Sequence, residues 1–128
     1  MFSIMDTLAK GKRVNNIPPV FYSLFRETVQ NYYISLIKYD PAEEVAKLKI
    51  PVLIVQGGND IQVTEDNAVR LKQNCKNGKI VIIKDMNHIL VSSPSDKKGN
   101  KKTYEDPDLP LHPSLPPALD NFINDKPF

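Results

Sequence analysis

The sequence predicts an α/β fold, because two short apolar segments flank a helical one. Residues 52–55 (VLIV) and 79–84 (KIVIIK) are rich in β-branched residues and do not alternate with polar ones, as is typical of parallel strands covered on both faces. Between them, residues 64–74 place Ala68 and Leu71 on one side at helical spacing. This order of strand, helix and strand predicts one βαβ unit.

Further helices are predicted on both sides of this unit. Apolar and aromatic residues recur at helical spacing over 20–38. A second helix over 40–48 begins with an aspartate cap, a first-turn proline and a glutamate that completes a capping box. A last helix is predicted over 114–124. The intervening stretch, 92–113, is long, polar and rich in proline, and we expect it to be irregular.

The composition indicates a globular chain and excludes several classes of function. Its 128 residues allow at most one small domain, and 41% hydrophobic with 25% charged residues is ordinary for that class. Apolar runs reach about six residues, which is too short to span a membrane. The lysine-rich segment 97–102 (KKGNKK) has no interleaved aromatic residues, so we expect a solvated loop there and no nucleic-acid partner.

Each predicted strand is followed by a residue that can take part in catalysis. Asp60 follows the first strand and a pair of glycines, and His88 follows the second strand. The carboxyl ends of parallel strands meet at one edge of a sheet, where sites form. A carboxylate there can fix the tautomer of an imidazole and stabilise its protonated form. The alternative is that Asp60 is a turn residue and His88 a structural loop residue. We expect Met86 and Asn87 to set the corner that aims His88.

Other candidate reactive residues are weaker. The single cysteine, Cys75, forms no internal disulfide, and its separation from both histidines gives no zinc spacing. We expect Cys75 to be a buried small hydrophobe and His112 to be a loop residue without a catalytic role. Ser92 and Ser93 follow His88 too closely to be its nucleophile. No metal and no organic cofactor is expected.

The two strand segments resemble a known family more closely than their spacing alone requires. IPVLIVQGGNDIQV (50–63) and IVIIKDMNHIL (80–90) resemble the last two core strands of bacterial α/β-hydrolase fold esterases and related serine hydrolases. In that family the first segment carries the triad aspartate and the second the triad histidine. The resemblance implies that Asp60 is the triad acid and His88 the base. The implied substrate of the full-length protein is a small-molecule carboxylic ester or similar acyl compound.

The resemblance covers residues 20–125 and implies the carboxy-terminal part of the fold. Residues 1–48 would be the remnant of the cap or lid helices, and residues 49–128 the βαβ-helix part of the core. The nucleophile motif of the family, G-x-S-x-G, is absent from the sequence, as is its oxyanion-hole loop. We therefore expect a fragment that supplies the triad aspartate and histidine but no nucleophile, and that is inactive alone.

Two other readings are compatible with the sequence. Two parallel strands leave unpaired main-chain groups at both sheet edges, so the chain needs partner strands from a missing amino-terminal half or from another copy. A non-catalytic α/β module stabilised by homo-oligomerisation is therefore the main alternative. The other is an independent enzyme with an unexpected nucleophile such as Cys75 or Ser92.

Overall fold

The computed structural model describes residues 2–125, except for the side chain of Phe2. The chain divides into two compact units, Met1–Glu44 and Val45–Phe128. Residues 2–125 contain two strands and seven helices, which confirms the predicted α/β class. None of these helices is long and apolar enough to cross a membrane.

The first unit is helical and has its own small apolar core. It contains α1 (Phe2–Ala9), α2 (Pro19–Phe25) and α3 (Glu27–Leu36). Its core residues, against which further side chains pack, are Ile4, Leu8 and Phe25.

The single helix predicted over 20–38 is wrong, because the chain breaks at Arg26. There the backbone is extended, with φ −51° and ψ 151°. The buried side-chain nitrogen of Gln30 donates to the carbonyl oxygen of Phe25 at 2.9 Å and to that of Val14 at 2.8 Å. The side-chain oxygen of Gln30 accepts a hydrogen bond from the Val14 amide at 2.9 Å. Gln30 thus joins the backbone at the break to the distant loop that contains Val14, a contact that helical spacing does not reveal.

The second unit contains the predicted βαβ arrangement. After α4 (Pro41–Ala46), the chain forms β1 (Val52–Gly57), α5 (Glu65–Asn74) and β2 (Gly78–Ile83). The strands are parallel, in a register that pairs Val52 with Gly78 and Gly57 with Ile83. Ile83, Met86 and Leu115 form a buried apolar cluster in this unit. Cys75 is buried, as expected for a small hydrophobe.

The expectation of an irregular, solvated stretch after β2 is wrong in part. Residues Lys97–Thr103 form a helix, α6, which was not predicted. The last helix, α7 (Leu115–Ile123), confirms the one predicted over 114–124. Asp96 caps α6 by accepting a hydrogen bond from the amide of Gly99 at 2.8 Å. All four lysines of α6 are exposed, and the helix is held through one fully buried polar residue, Asn100. Because α6 has no apolar stripe, hydrophobic periodicity could not predict it.

Candidate active site

The loops that follow β1 and β2 lie against each other because two glycines leave room for close backbone contact. A β-carbon on Gly57 would overlap the carbonyl oxygen of Met86, and one on Gly58 would lie 2.5 Å from the carbonyl oxygen of Lys84. The amide of Asn59 donates to the carbonyl oxygen of Met86 at 3.0 Å. This contact joins the segment before Asp60 directly to the segment before His88.

The structure brings Asp60 and His88 together. Asp60 Oδ2 and His88 Nδ1 are 2.8 Å apart. The Asp60 side chain is 7% exposed and the imidazole is 42% exposed, so the acid is shielded while the ring reaches the surface. A carboxylate can only accept hydrogen bonds, so this contact places a proton on Nδ1. The other ring nitrogen, Nε2, has no hydrogen-bond partner within residues 2–125 and is left as an acceptor.

The ionised form of Asp60 is favoured by its surroundings. Burial alone would raise the pKa of this carboxyl group, but hydrogen bonds from the Val63 amide, from His88 and from the Gln62 amide together lower the pKa below its ordinary value. The two amides donate to Oδ1 at 2.9 and 2.7 Å, and the charge of a protonated His88 adds to the effect. Asp60 is therefore held as an anion with a fixed orientation.

Gln56 is a site residue that the sequence-based prediction missed. It lies in β1 and is buried, and its amide nitrogen is 3.4 Å from Asp60 Oδ2. The same nitrogen donates to the carbonyl oxygens of Gly57 and Val63 at 3.0 Å each. Gln56 thus ties both ends of the Asp60 loop to the strand. A polar residue inside an apolar strand, directly before the glycine pair, is the signal that could have identified it.

Asn87 shapes the turn that carries His88. It is almost fully buried, and its side-chain oxygen accepts hydrogen bonds from the amides of Ile89 and Val91 at 3.2 and 3.4 Å. Leu90 adopts the left-handed conformation, with φ +65°. The predicted corner residues, Met86 and Asn87, are both buried and directly precede His88 in this tight turn.

A pocket of about 260 Å³ opens beside the pair. It combines the Asp60–His88 pair with apolar side chains, which is the usual character of a small-molecule site. Its lining residues are Val55, Gln56, Gly57, Asp60, Val63, Asn87, His88 and Leu90.

His112 lies outside this pocket and forms a second, different pair. It is 4% exposed, its Nδ1 accepts a hydrogen bond from the Ser114 amide at 3.1 Å, and its Nε2 lies 3.0 Å from Asp85 Oδ1. Its proton is therefore on Nε2, and its one lone pair is already used. His112 cannot act as a base without breaking the Ser114 contact, so its role is structural.

No nucleophile is paired with His88 within residues 2–125. Neither Ser92, Ser93 nor Cys75 is hydrogen-bonded to the imidazole, and Cys75 is 1% exposed. In the same part of the chain, no cluster of three or more histidine, cysteine, aspartate or glutamate side chains could hold a metal ion.

One comparison with known proteins finds a relative of this chain. The chain is 37% identical over 91 residues to Esterase EstD of Thermotoga maritima, a match that covers 69% of this chain and 21% of the esterase. The chain thus spans about a fifth of the length of the curated relative that it matches. No protein-family model matches the chain, and no solved structure matches it. The match indicates that the chain has an esterase-like relative.

Proposed function

We propose that this chain supplies the acid and base of a serine-hydrolase triad that acts on carboxylic esters or similar acyl bonds. The observation that carries the proposal is the 2.8 Å contact between Asp60 Oδ2 and His88 Nδ1, with Nε2 free to accept a proton. The similarity to an esterase supports the choice of reaction and is compatible with a small-molecule substrate. In this proposal residues 49–128 correspond to the last part of an α/β-hydrolase core, and residues 1–48 to the remnant of its cap or lid.

The pair would act through Nε2 of His88. As a serine hydroxyl attacks the ester carbonyl, Nε2 takes the hydroxyl proton, and it then gives that proton to the departing alcohol. In the second half of the reaction Nε2 takes a proton from the water that attacks the acyl-serine carbonyl, and it returns that proton to the serine oxygen as the carboxylic acid departs. Asp60 keeps the Nδ1 proton in place and stabilises the imidazolium that forms in each half.

The nucleophile would come from polypeptide outside these 128 residues. The sequence contains no G-x-S-x-G motif, and no serine is bonded to His88 among the described residues. The chain matches only 21% of its esterase relative, so most of that protein has no counterpart here. Without a nucleophile and oxyanion donors, the largest contributions to catalysis are missing, and we expect no esterase activity from the chain alone.

A chimera with the relative tests the proposal. The segment of the Thermotoga esterase that this chain matches is replaced by the matching residues of this chain. A segment that covers 69% of 128 residues includes both Asp60 and His88 wherever it begins. We expect the chimera to hydrolyse p-nitrophenyl acetate, and His88→Gln and Asp60→Asn to lower kcat by about 10⁴-fold.

Asp85→Asn is the matched control for the chimera, because a segment that includes Asp60 and His88 also includes Asp85. It also removes a carboxylate bonded to a histidine, but that carboxylate is 65% exposed and lies outside the pocket. The control should keep kcat within about twofold, because a solvated partner contributes little. An active chimera that is unaffected by His88→Gln would refute the assignment.

A homo-oligomeric module remains a second candidate, on one specific observation. The sheet within residues 2–125 has two strands, so each strand has one unpaired edge. Ile82 of β2 is 41% exposed despite lying in the apolar centre of the strand. Sedimentation equilibrium over a hundredfold range of concentration tests this candidate. A mass that rises toward a dimer supports it, and a monomer of 14.5 kDa at every concentration excludes it.

A further inference from the structure

The attachment of α6 is unusual, because its one buried side chain is an amide. Asn100 is fully buried, while the lysines on either side of it are exposed. An asparagine in such a position must satisfy its hydrogen bonds inside the protein or destabilise the fold by about 1–3 kcal/mol. The partners of this amide therefore indicate what α6 is attached to.

Both ends of the Asn100 amide contact the residues that precede the Asp60–His88 pair. Its nitrogen donates to the carbonyl oxygen of Asn59 at 2.7 Å, and Asn59 directly precedes Asp60. Its oxygen lies 3.3 Å from the side-chain nitrogen of Asn87, and Asn87 directly precedes His88. One side chain thus connects the two loops at equivalent positions.

A second contact strengthens the connection to the His88 loop. The hydroxyl group of Thr103, one turn after Asn100, accepts a hydrogen bond from the Asn87 nitrogen at 2.7 Å. The same hydroxyl donates to the carbonyl oxygen of Asn100 at 2.7 Å. Asn87 is therefore held by α6 at its nitrogen, while its oxygen forms the turn that carries His88.

From this network we infer that Asn100 is a positioning residue, which sets the distance between Asp60 and His88 by tying both loops to α6. The inference rests on the proposed function and deepens it. It also assigns a role to α6, a helix whose other side chains are mostly exposed. Buried, fully bonded polar networks impose one geometry on the groups that they connect. Catalytic geometry is sensitive to such support, since a shift of about 1 Å can lower a rate about 100-fold.

The direct test uses the full chain and needs no activity. Two-bond proton–nitrogen NMR spectra of the imidazole show which ring nitrogen of His88 carries the proton when the ring is neutral. In the unchanged chain we expect the proton on Nδ1, facing Asp60. Asn100→Ala should move it toward a mixture of Nδ1 and Nε2 forms, because the two loops are no longer held together. Circular dichroism verifies that the variant remains folded.

Asn77→Ala is the matched control for loss of an asparagine contact. The Asn77 nitrogen donates to the carbonyl oxygen of Lys49 at 3.2 Å on the exposed surface of the same unit, and its loss should leave the His88 tautomer unchanged. A folded Asn100→Ala chain with the proton still entirely on Nδ1 would overturn the inference.

If Asn100→Ala does not fold, Asn100→Leu decides instead. This nearly isosteric change keeps the volume of the buried side chain but removes its hydrogen bonds to both site loops. A mixed tautomer in a folded Asn100→Leu chain supports the inference, and an unchanged tautomer overturns it. Because this readout is independent of hydrolysis, an inactive esterase chimera would count against the proposed function without affecting the result for Asn100.

Discussion

Gly57 lies directly against the main-chain carbonyl group of Met86, with no room between them for a β-carbon. This contact stands where β1 ends and where the chain turns toward Asp60. It lets the Asn59 amide reach the Met86 carbonyl oxygen at 3.0 Å, and so brings the two site loops together. The proximity of Asp60 and His88 therefore begins with a backbone contact that only glycine permits.

Replacing this glycine should separate the two loops. We expect Gly57→Ala to lower the free energy of unfolding by about 1–3 kcal/mol, as overpacking of a closely packed position does. It should also increase the fraction of neutral His88 that carries its proton on Nε2, because the Asp60 loop must move away from Nδ1. Urea denaturation and NMR of the imidazole measure the two effects. Gly11→Ala is the control: Gly11 has φ +73° but open space around it, so this change strains the backbone and should leave the His88 tautomer unaltered.

The stability of the chain should depend on pH through Asp60. Its pKa is lower in the folded chain than the ordinary value of about 4 expected in the unfolded chain. Between these two values the unfolded state binds more protons, so a fall in pH favours unfolding. The stabilisation from Asp60 is therefore complete above about pH 4 and is lost as the pH falls through the folded-state pKa.

Comparison with Asp60→Asn isolates this contribution. The difference in the free energy of unfolding between the unchanged chain and this variant should narrow as the pH falls from about 5 toward 2. The same comparison made in chains that all carry Asp85→Asn should show the same narrowing, since Asp85→Asn does not alter the hydrogen bonds to Asp60. A difference that stays constant over this range would show that Asp60 is not held as an anion in the folded chain.

Replacement of each histidine by leucine should lower the free energy of unfolding by a different amount. His112→Leu removes the acceptor of the Ser114 amide from a buried position, so we expect a loss of about 1–3 kcal/mol in the free energy of unfolding. His88→Leu removes one hydrogen bond from a ring that is 42% exposed, while the Gln62 and Val63 amides still bind Asp60, so its loss should be only about 1 kcal/mol. Equal losses in urea denaturation would contradict the assignment of His112 as structural and His88 as functional.

Sequence patterns could predict the sheet and the pair because both depend on local signals. Consecutive β-branched residues indicate strands, and the topology of a βαβ unit places the residues that follow both strands at one edge. Asp60 and His88 come together for that reason. The sequence also shows the glycine pair before Asp60, although the contact of Gly57 with Met86 depends on the fold.

The features that were missed depend on polar contacts between distant segments. Gln30 bonds the chain at the break before Arg26, and Asn100 attaches α6 to the site loops, and both are buried amides. Hydrophobic periodicity carries no information about such residues, since it treats a buried amide and a solvated one alike. Gln56 is different, because its position inside an apolar strand and directly before the glycine pair is a signal in the sequence.

Labelling with a fluorophosphonate should detect no nucleophile in the folded chain. Such reagents modify serines activated by a histidine, and His88 has no such partner within residues 2–125. Cys75, the other candidate, is 1% exposed. We therefore expect the intact mass after treatment to equal that of the untreated chain, whereas an active chimera with the Thermotoga esterase should gain one phosphonyl group.

An adduct that forms on the folded chain and not on the unfolded one would place an activated nucleophile within these 128 residues. That result would favour an independent enzyme, and the labelled residue would identify its nucleophile.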